Sequence, residues 1–494
     1  NAGADRVALR SLVHLRRRAH APHQRHVNAH NQGRERPEGR FLASDEAEAE
    51  AAATKRKGPG SMGRIDDLLN QAVDHAGERE VVAICFQQFA PYHVDRIAAV
   101  HRALGGKMRV FGVEYSDTST TYAWERANSE GFERITLFPS GNWETMTWMG
   151  RLRGLVSCLL RIKAKHVFLI NYQLPDTFLC AVLLRLLGKS PYVMMGSKFS
   201  DKDRFVWKEV VKKWLFTPYF GGITSGELHS RYLEFLGVGT QNFRTGLDTL
   251  SLQRVREISG GEPAPGGQDY HKRHFTIVAR MVPEKDLPTA VRAYARYCEV
   301  CEERGLEPRD LVLCGDGPER GLIERIVQQN NVRSVRFFGF ATEREVCETL
   351  ATSLALILPS VSETWGLVIN EAIAMGVPVL CSDVCGARDE LVRSGVNGFS
   401  FAPGEVEGLA NLMMMVSSEE DVWRQLSAGS SMVAPQADAT RFARAVASVV
   451  QPRTQVQLLP EVPDVGIAGV GARGIPEGVA VEGAPARALQ VAGE

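Results

Sequence analysis

The chain reads as an α/β protein made of two doubly wound halves, and three observations predict this class. Short apolar runs alternate with helical segments in two successive series. A Gly/Pro-rich stretch, Ser259 to Asp269, separates the two series. Runs such as Val81–Phe86 and Leu354–Leu358 are continuously apolar rather than alternating, as in parallel strands buried on both faces.

The first series opens at Val81–Phe86, followed by a loop from Gln87 to Tyr92 and a helix from His93 to Leu104. A second strand spans Met108–Val113. Ala164–Ile170, a helix at Thr177–Leu187 and Pro191–Met195 continue the alternation, and Gly221–Thr224 and Asn242–Thr245 close it. The second series begins with a strand at His274–Ala279, a helix from Pro288 to Arg304 and a strand at Asp310–Cys314. Glu319–Gln329 (helix), Val335–Phe338 (strand), Thr342–Ala351 (helix) and Leu354–Leu358 (strand) follow. The expected organisation is a tail at 1–75, one domain at 78–258, a second at 270–437, a helix at 438–450 and a tail at 451–494.

Both tails read as disordered. Five of the twelve His lie between His14 and His30, beside Arg16-Arg17-Arg18, and an Ala/Glu tract and Lys55-Arg56-Lys57-Gly-Pro-Gly follow. Met62 directly precedes the first helix-like segment, so part of this stretch is expected to lie outside the functional protein. After Gln451 the chain is Pro/Gly/Ala/Val-rich without periodicity.

Composition excludes several function classes. With 494 residues there is room for two or three full cores. Lys plus Arg and Asp plus Glu both number 58, so no net field argues for nucleic acid. No stretch approaches the ~18 apolar residues of a membrane span. The nine Cys are scattered, and Cys298-x-x-Cys301 lies in a helical stretch without a second pair at zinc spacing. Buried, odd-numbered thiols point to a reducing cytoplasm, and neither a metal nor a cofactor is expected.

Ser360 to Gly376 carries the main chemical signal. Pro359 and Ser360 end the strand 354–358, a helix starts near Trp365, and Gly376 with Pro378 stops it. Glu363 therefore lies in a loop at the carboxyl end of a parallel strand, where open α/β sheets bind ligands. Glu371 stands some two helical turns further on. Such a pair can hold two parts of one elongated polar ligand, while first-turn amides remain free for a phosphate. Arg280 ends the first strand of the second half and Lys285 precedes the next helix; a planar fork and a point charge so placed can converge on one anion.

Glu363 and Glu371, with seven residues between them, resemble the E-x7-E signature of retaining, nucleotide-sugar-dependent glycosyltransferases of the GT-B fold. The resemblance implies two doubly wound, Rossmann-like domains facing across a cleft, with the helix at 440–450 crossing back to the first domain. It implies that Glu363 contacts the donor sugar, Glu371 the ribose hydroxyls, and Arg280 and Lys285 the donor diphosphate. Thr364, Trp365, Gly366 and Leu367 then form the helix start that faces this diphosphate. Gly315 and Gly317, in Cys314-Gly-Asp-Gly-Pro-Glu319, match the segment lining the nucleotide side, although a dinucleotide loop would need a third Gly. Gly339 and Phe340 match the base-binding loop.

The first half is less legible. His93 and Asp95 are candidates to touch the acceptor or donor sugar, and a helix cap is the alternative reading. A His that many relatives carry after the strand ending at Ile170 is absent from Asn171-Tyr172-Gln173. Arg204, Trp207, Lys208, Lys212, Lys213 and Trp214 suit an acceptor-binding helix, a membrane-surface helix or an ordinary amphipathic one.

The implied function is transfer of a sugar from a UDP- or GDP-sugar to a hydroxyl acceptor with retention, without metal. The acceptor is a sugar, a lipid-linked molecule or another small molecule, and contact with the inner membrane face is at most peripheral. The alternative is a non-catalytic sugar-nucleotide or partner-binding protein on the same fold.

Overall fold

The computed structural model describes residues 79–118, 131–202 and 204–451. The tail expected at 1–75, and all of the tail expected at 451–494 except Gln451, lie outside them. The first half is a seven-stranded, wholly parallel sheet ordered β3-β2-β1-β4-β5-β6-β7. Its strands are β1 (Val81–Phe86), β2 (Arg109–Glu114), β3 (Glu133–Thr136), β4 (His166–Ile170), β5 (Ser190–Met195), β6 (Gly222–Thr224) and β7 (Phe243–Thr245). The connecting helices are α1 (Pro91–Leu104), α2 (Trp148–Arg161), α3 (Pro175–Leu186), α4 (Val206–Leu215) and α5 (Glu227–Phe235).

The continuous apolar character of β1 has a direct structural cause. Alternate side chains point to opposite faces. Val82, Ile84 and Phe86 pack with α1, while Val81, Ala83 and Cys85 pack with α2 and α3. All six residues are buried. Edge strands lack this signature, and β3, Glu-Arg-Ile-Thr, was not anticipated because its residues are only partly covered.

After α6 (Leu252–Ser259) the second half forms a six-stranded parallel sheet ordered β10-β9-β8-β11-β12-β13. Its strands are β8 (His274–Val278), β9 (Leu311–Cys314), β10 (Val335–Gly339), β11 (Ser353–Leu358), β12 (Val379–Ser382) and β13 (Gly398–Phe401). Its helices are α7 (Leu287–Glu303), α8 (Arg320–Gln329), α9 (Glu343–Ala351), α10 (Leu367–Ala374), α11 (Arg388–Leu391), α12 (Val406–Ser418) and α13 (Glu420–Ala437). One face of this sheet buries Phe275, Ile277, Leu311 and Leu313 against α7 and α12. The other buries Leu356, Leu358, Val379 and Cys381 against α9 and α10.

Three local features shape the site. Thr342 caps α9 through a reciprocal pair: its hydroxyl accepts from Glu345 N at 3.4 Å, and its own N–H donates to Glu345 Oε2 at 2.7 Å. The helix expected from Trp365 begins at Leu367, because Gly366 at φ +96 turns the chain first. The last helix, α14 (Ala439–Val450), returns to the first half, where Phe442 and Val446 share a core with Ile97 and Val100 of α1.

The segment Ser259–Asp269 is packed rather than a free tether. Ala264 is buried, its N–H donates to Met375 O at 2.8 Å, and a side chain at Gly376 would collide with its carbonyl. Composition there reports the absence of helix or strand periodicity, which is compatible with close contact. No helix among the described residues is long and apolar enough to cross a membrane.

Candidate functional site

In the second sheet, β8 leads through β9 to β10 on one side, while β11 begins the other side at β8's free edge. The loops after β8 and β11 therefore part in opposite directions, and the crevice between them is the expected ligand position of a doubly wound sheet. Arg280 and Lys285 follow β8, and Glu363 follows β11, so residues some eighty positions apart meet in this crevice. Lys285 Nζ forms an ion pair with Glu363 Oε2, which also accepts from Ser360 Oγ at 3.4 Å. Arg280 is exposed and makes no ion pair with any described residue. One cation of the loop after β8 is thus paired with the carboxylate, and the other is uncommitted among the described residues.

The two glycines after β9 act on this loop. Gly315 lies at φ +132, and an added Cβ would stand 1.9 Å from the Ala279 carbonyl oxygen. At Gly317 the same construction meets Met281 O at 2.5 Å. Met281 N donates to Asp316 O, and Glu319 N donates to Met281 O. The close backbone approach that these glycines permit is to residues 279–281, so they set the position of Arg280. Gly339, at φ +82, accepts from Gly315 N through its carbonyl and turns Phe340 outward, where its ring is 77 % exposed.

The loop after β11 divides its residues between site and core. Trp365, expected at the donor, is buried; its Nε1 donates to Asn370 Oδ1 at 3.0 Å, and its carbonyl accepts from Ala387 N. Asn370 in turn donates to the carbonyls of Asp248 and Ala437, both at 3.1 Å. The indole anchors the loop from beneath and offers no face to a ligand. The N–H groups of Leu367 and Val368 have no acceptor among the described residues, as at the first turn of any helix without a capping side chain. Glu371 lies on α10 with its carboxyl pushed up to about 7 by burial and by the Glu343 carboxylate, against the opposing pull of Arg254.

Comparisons with known proteins bear on this arrangement. Residues 263–430 match the family model of glycosyl transferases group 1. Glycogen synthase of Mycobacterium tuberculosis is 30% identical over 205 residues, covering 40% of this chain and 46% of that protein. N-acetyl-alpha-D-glucosaminyl L-malate synthase of Bacillus anthracis is 33% identical over 143 residues, 29% of this chain and 35% of that one. The crystal structure of HepE of Anabaena in complex with UDP aligns with a TM-score of 0.55 and 13% identity, covering 75% of this chain and 98% of HepE. Over residues 263–430, this chain is similar to the glycosyl transferases group 1. The likeness to HepE shows the two-sheet GT-B fold, and the match spans less than half the length of either curated relative.

The residues expected on the acceptor side are built into the fold. His93 is buried, stacks on Phe86 with ring centroids 3.8 Å apart, and accepts the Ala90 N–H at 3.1 Å. It thus acts as the reaching-back half of a cap for α1. Burial and the nearby Arg96 guanidinium hold its ring well below the usual imidazole range. Asp95 is buried too: its oxygens accept from Arg254 Nε at 2.8 and 3.0 Å and from Ser251 N at 2.9 Å. Neither side chain is placed to touch a sugar. Arg254 also donates to Glu343 at 2.6 Å, so the triad ties α1 to α9, first half to second. Burial by itself would lower the Arg254 guanidinium, but the two carboxylates raise it instead.

Sequence reasoning missed His229. It lies on α5, fully buried, and its Nε2–H donates to Thr364 O at 3.2 Å across the seam between the halves. Burial lowers it, which leaves the ring neutral with Nδ1 unpartnered. Nearby, Glu390 accepts from Glu227 N at 2.8 Å and pairs with Arg441, which also donates to Thr245 Oγ1. No local pattern marks these residues, because each partner lies more than fifty positions away.

Proposed function

We propose that this protein is a retaining glycosyltransferase that takes its sugar from a UDP- or GDP-sugar and passes it to a hydroxyl acceptor. The observation that carries the reading is the Lys285–Glu363 ion pair at the switch point of the second sheet, with Arg280 in the same loop after β8 and the open amides of α10 following the Glu363 loop. The match of residues 263–430 to the group 1 family model supports it. Arg280 and the helix start receive the donor diphosphate, where a positive dipole end and a guanidinium favour an anion. Lys285 exchanges Glu363 for that diphosphate. The freed carboxylate then accepts from the donor sugar's hydroxyls, while Glu371 takes the ribose hydroxyls.

In the transfer, the bond from the anomeric carbon to the diphosphate oxygen breaks as the acceptor oxygen bonds to the same face. The acceptor's proton passes to a phosphate oxygen, so the products are a nucleoside diphosphate and a glycoside. No protein nucleophile and no metal enter the step. The protein's contribution is electrostatic, because charge developing on the leaving group meets fixed cations and amides in a crevice.

A thermal-shift panel of nucleotide sugars tests the reading. A cognate donor at a hundredfold excess over Kd raises stability by about 2.7 kcal/mol. Absence of any response across UDP- and GDP-sugars sinks the proposal. A response without turnover on any acceptor identifies a binding protein instead.

A further inference from the structure

Helix α4 is inside out. Its sequence, Val206-Trp-Lys-Glu-Val-Val-Lys-Lys-Trp-Leu215, has one buried residue, and that residue is Glu209. Glu209 accepts from Tyr232 Oη at 2.5 Å and from Lys212 Nζ at 2.8 Å, with Arg204 Nη1 3.7 Å away. Tyr232 also receives Arg204 Nη1 and Lys212 Nζ, at 2.9 and 3.0 Å. The polar side of α4 is thereby fastened to α5. The carboxyl of Glu209 is held below its usual range although burial opposes this, because the Lys212 and Tyr232 hydrogen bonds prevail.

The opposite side carries the apolar residues. Val206, Trp207, Val210, Val211 and Trp214 are all exposed, Trp207 at 66 % and Trp214 at 67 %, with Phe205 just before the helix. At about 100° per residue, these five fall within an arc of about 140°. Lys208 and Lys213 border that arc on its two sides, and α4 has no acidic residue besides the inward Glu209. Lys208 Nζ lies over the Phe205 and Trp207 rings, at 4.8 and 5.5 Å. A second exposed apolar pair lies on the same half: the Phe199 and Phe235 rings are 4.9 Å apart beside a hollow of about 420 Å³.

A monomeric protein has no reason to fasten charges inward and leave two indoles in water. We infer that the outer face of α4 seats the protein on an anionic bilayer surface. Tryptophan prefers the headgroup region, where its ring is in hydrocarbon and its N–H is wet. Lysines bordering an apolar stripe meet anionic headgroups while the stripe enters the acyl boundary. The face carries positive charge only, which complements such a surface and would repel the same face of a second copy. This inference does not depend on the donor reading, and its test measures binding rather than turnover.

The test is co-sedimentation of the full chain with vesicles of phosphatidylcholine alone and of phosphatidylcholine mixed with phosphatidylglycerol. The wild type is expected to bind the mixed vesicles and to release them at high salt. The pair Lys208→Ala/Lys213→Ala is expected to bind about 30-fold more weakly at low salt. Trp207→Ser/Trp214→Ser is expected to lose binding at least about tenfold while keeping the wild-type circular dichroism, because both rings are outside the core. Failure of the wild type to bind mixed vesicles overturns the inference, as does undiminished binding by both variants. A dimer seen by light scattering, dissolved by the Trp pair and unaffected by vesicles, also overturns it and assigns the face to a second copy.

Discussion

The two halves of this chain are built alike and use their polar residues differently. In the second, the charged residues past the strand ends lie at the crevice: Arg280 is exposed and makes no ion pair with any described residue, and Lys285 and Glu363 pair with each other. In the first, the same kind of residue is consumed by the structure. Asp95 is clasped by Arg254, and Arg96 donates to Thr249 O at 2.7 Å and pairs with Asp248. The difference teaches that a charged residue at the end of an α/β unit can belong either to the ligand or to the seam. Burial and partners, which depend on distant chain segments, decide between them.

Four measurements sharpen or break this contrast, from the largest expected effect downward. Arg280→Ala should lower turnover by 10² to 10³, about 2.7–4 kcal/mol of barrier, with little change in stability. Release of nucleoside diphosphate is the readout, and near-wild-type turnover would remove Arg280 from the site. Asp95→Ala should act on the other property. It leaves Arg254 half-paired and half-buried, so unfolding by denaturant should show a loss of about 2–3 kcal/mol. Its acceptor KM should stay unchanged; a raised KM with intact stability would return Asp95 to the acceptor side.

Glu371 gives a pH test. Its folded-state pKa, about 7, lies above the ordinary carboxyl value near 4.3, so the folded state holds a proton that the unfolded state releases. Stability should therefore fall as pH rises through that window, by about 3–4 kcal/mol relative to Glu371→Gln. Parallel stability curves for the two proteins would contradict the assignment. The smallest effect is expected at His93→Ala, where loss of the reach-back to Ala90 N should cost about 1 kcal/mol and leave donor binding intact.

The legibility of the site followed the range of its interactions. The strand–loop–helix setting of Glu363 was readable because β11, Gly366 and Gly376 are consecutive and each leaves a local mark. Trp365 was misjudged for the same reason. It stands between two site residues, yet its indole turns inward to Asn370, whose own partners are Asp248 and Ala437. His229 left no mark at all. Helix α4 showed a mixture of Lys and Trp that suits several faces, and only the clamp from Tyr232 reveals which face is outward.

The sequence by itself determined the two-fold α/β alternation, the buried central strands and the glycine-marked loops at the second sheet's carboxyl edge. These depend on side-chain period and backbone conformation, which neighbouring residues set. Tertiary structure alone decided that Lys285 meets Glu363, that Asp95 and His229 hold the halves together, and that α4 turns its apolar side outward. Each of these is a contact between residues far apart in the chain, where pairing and burial, rather than residue type, set the role.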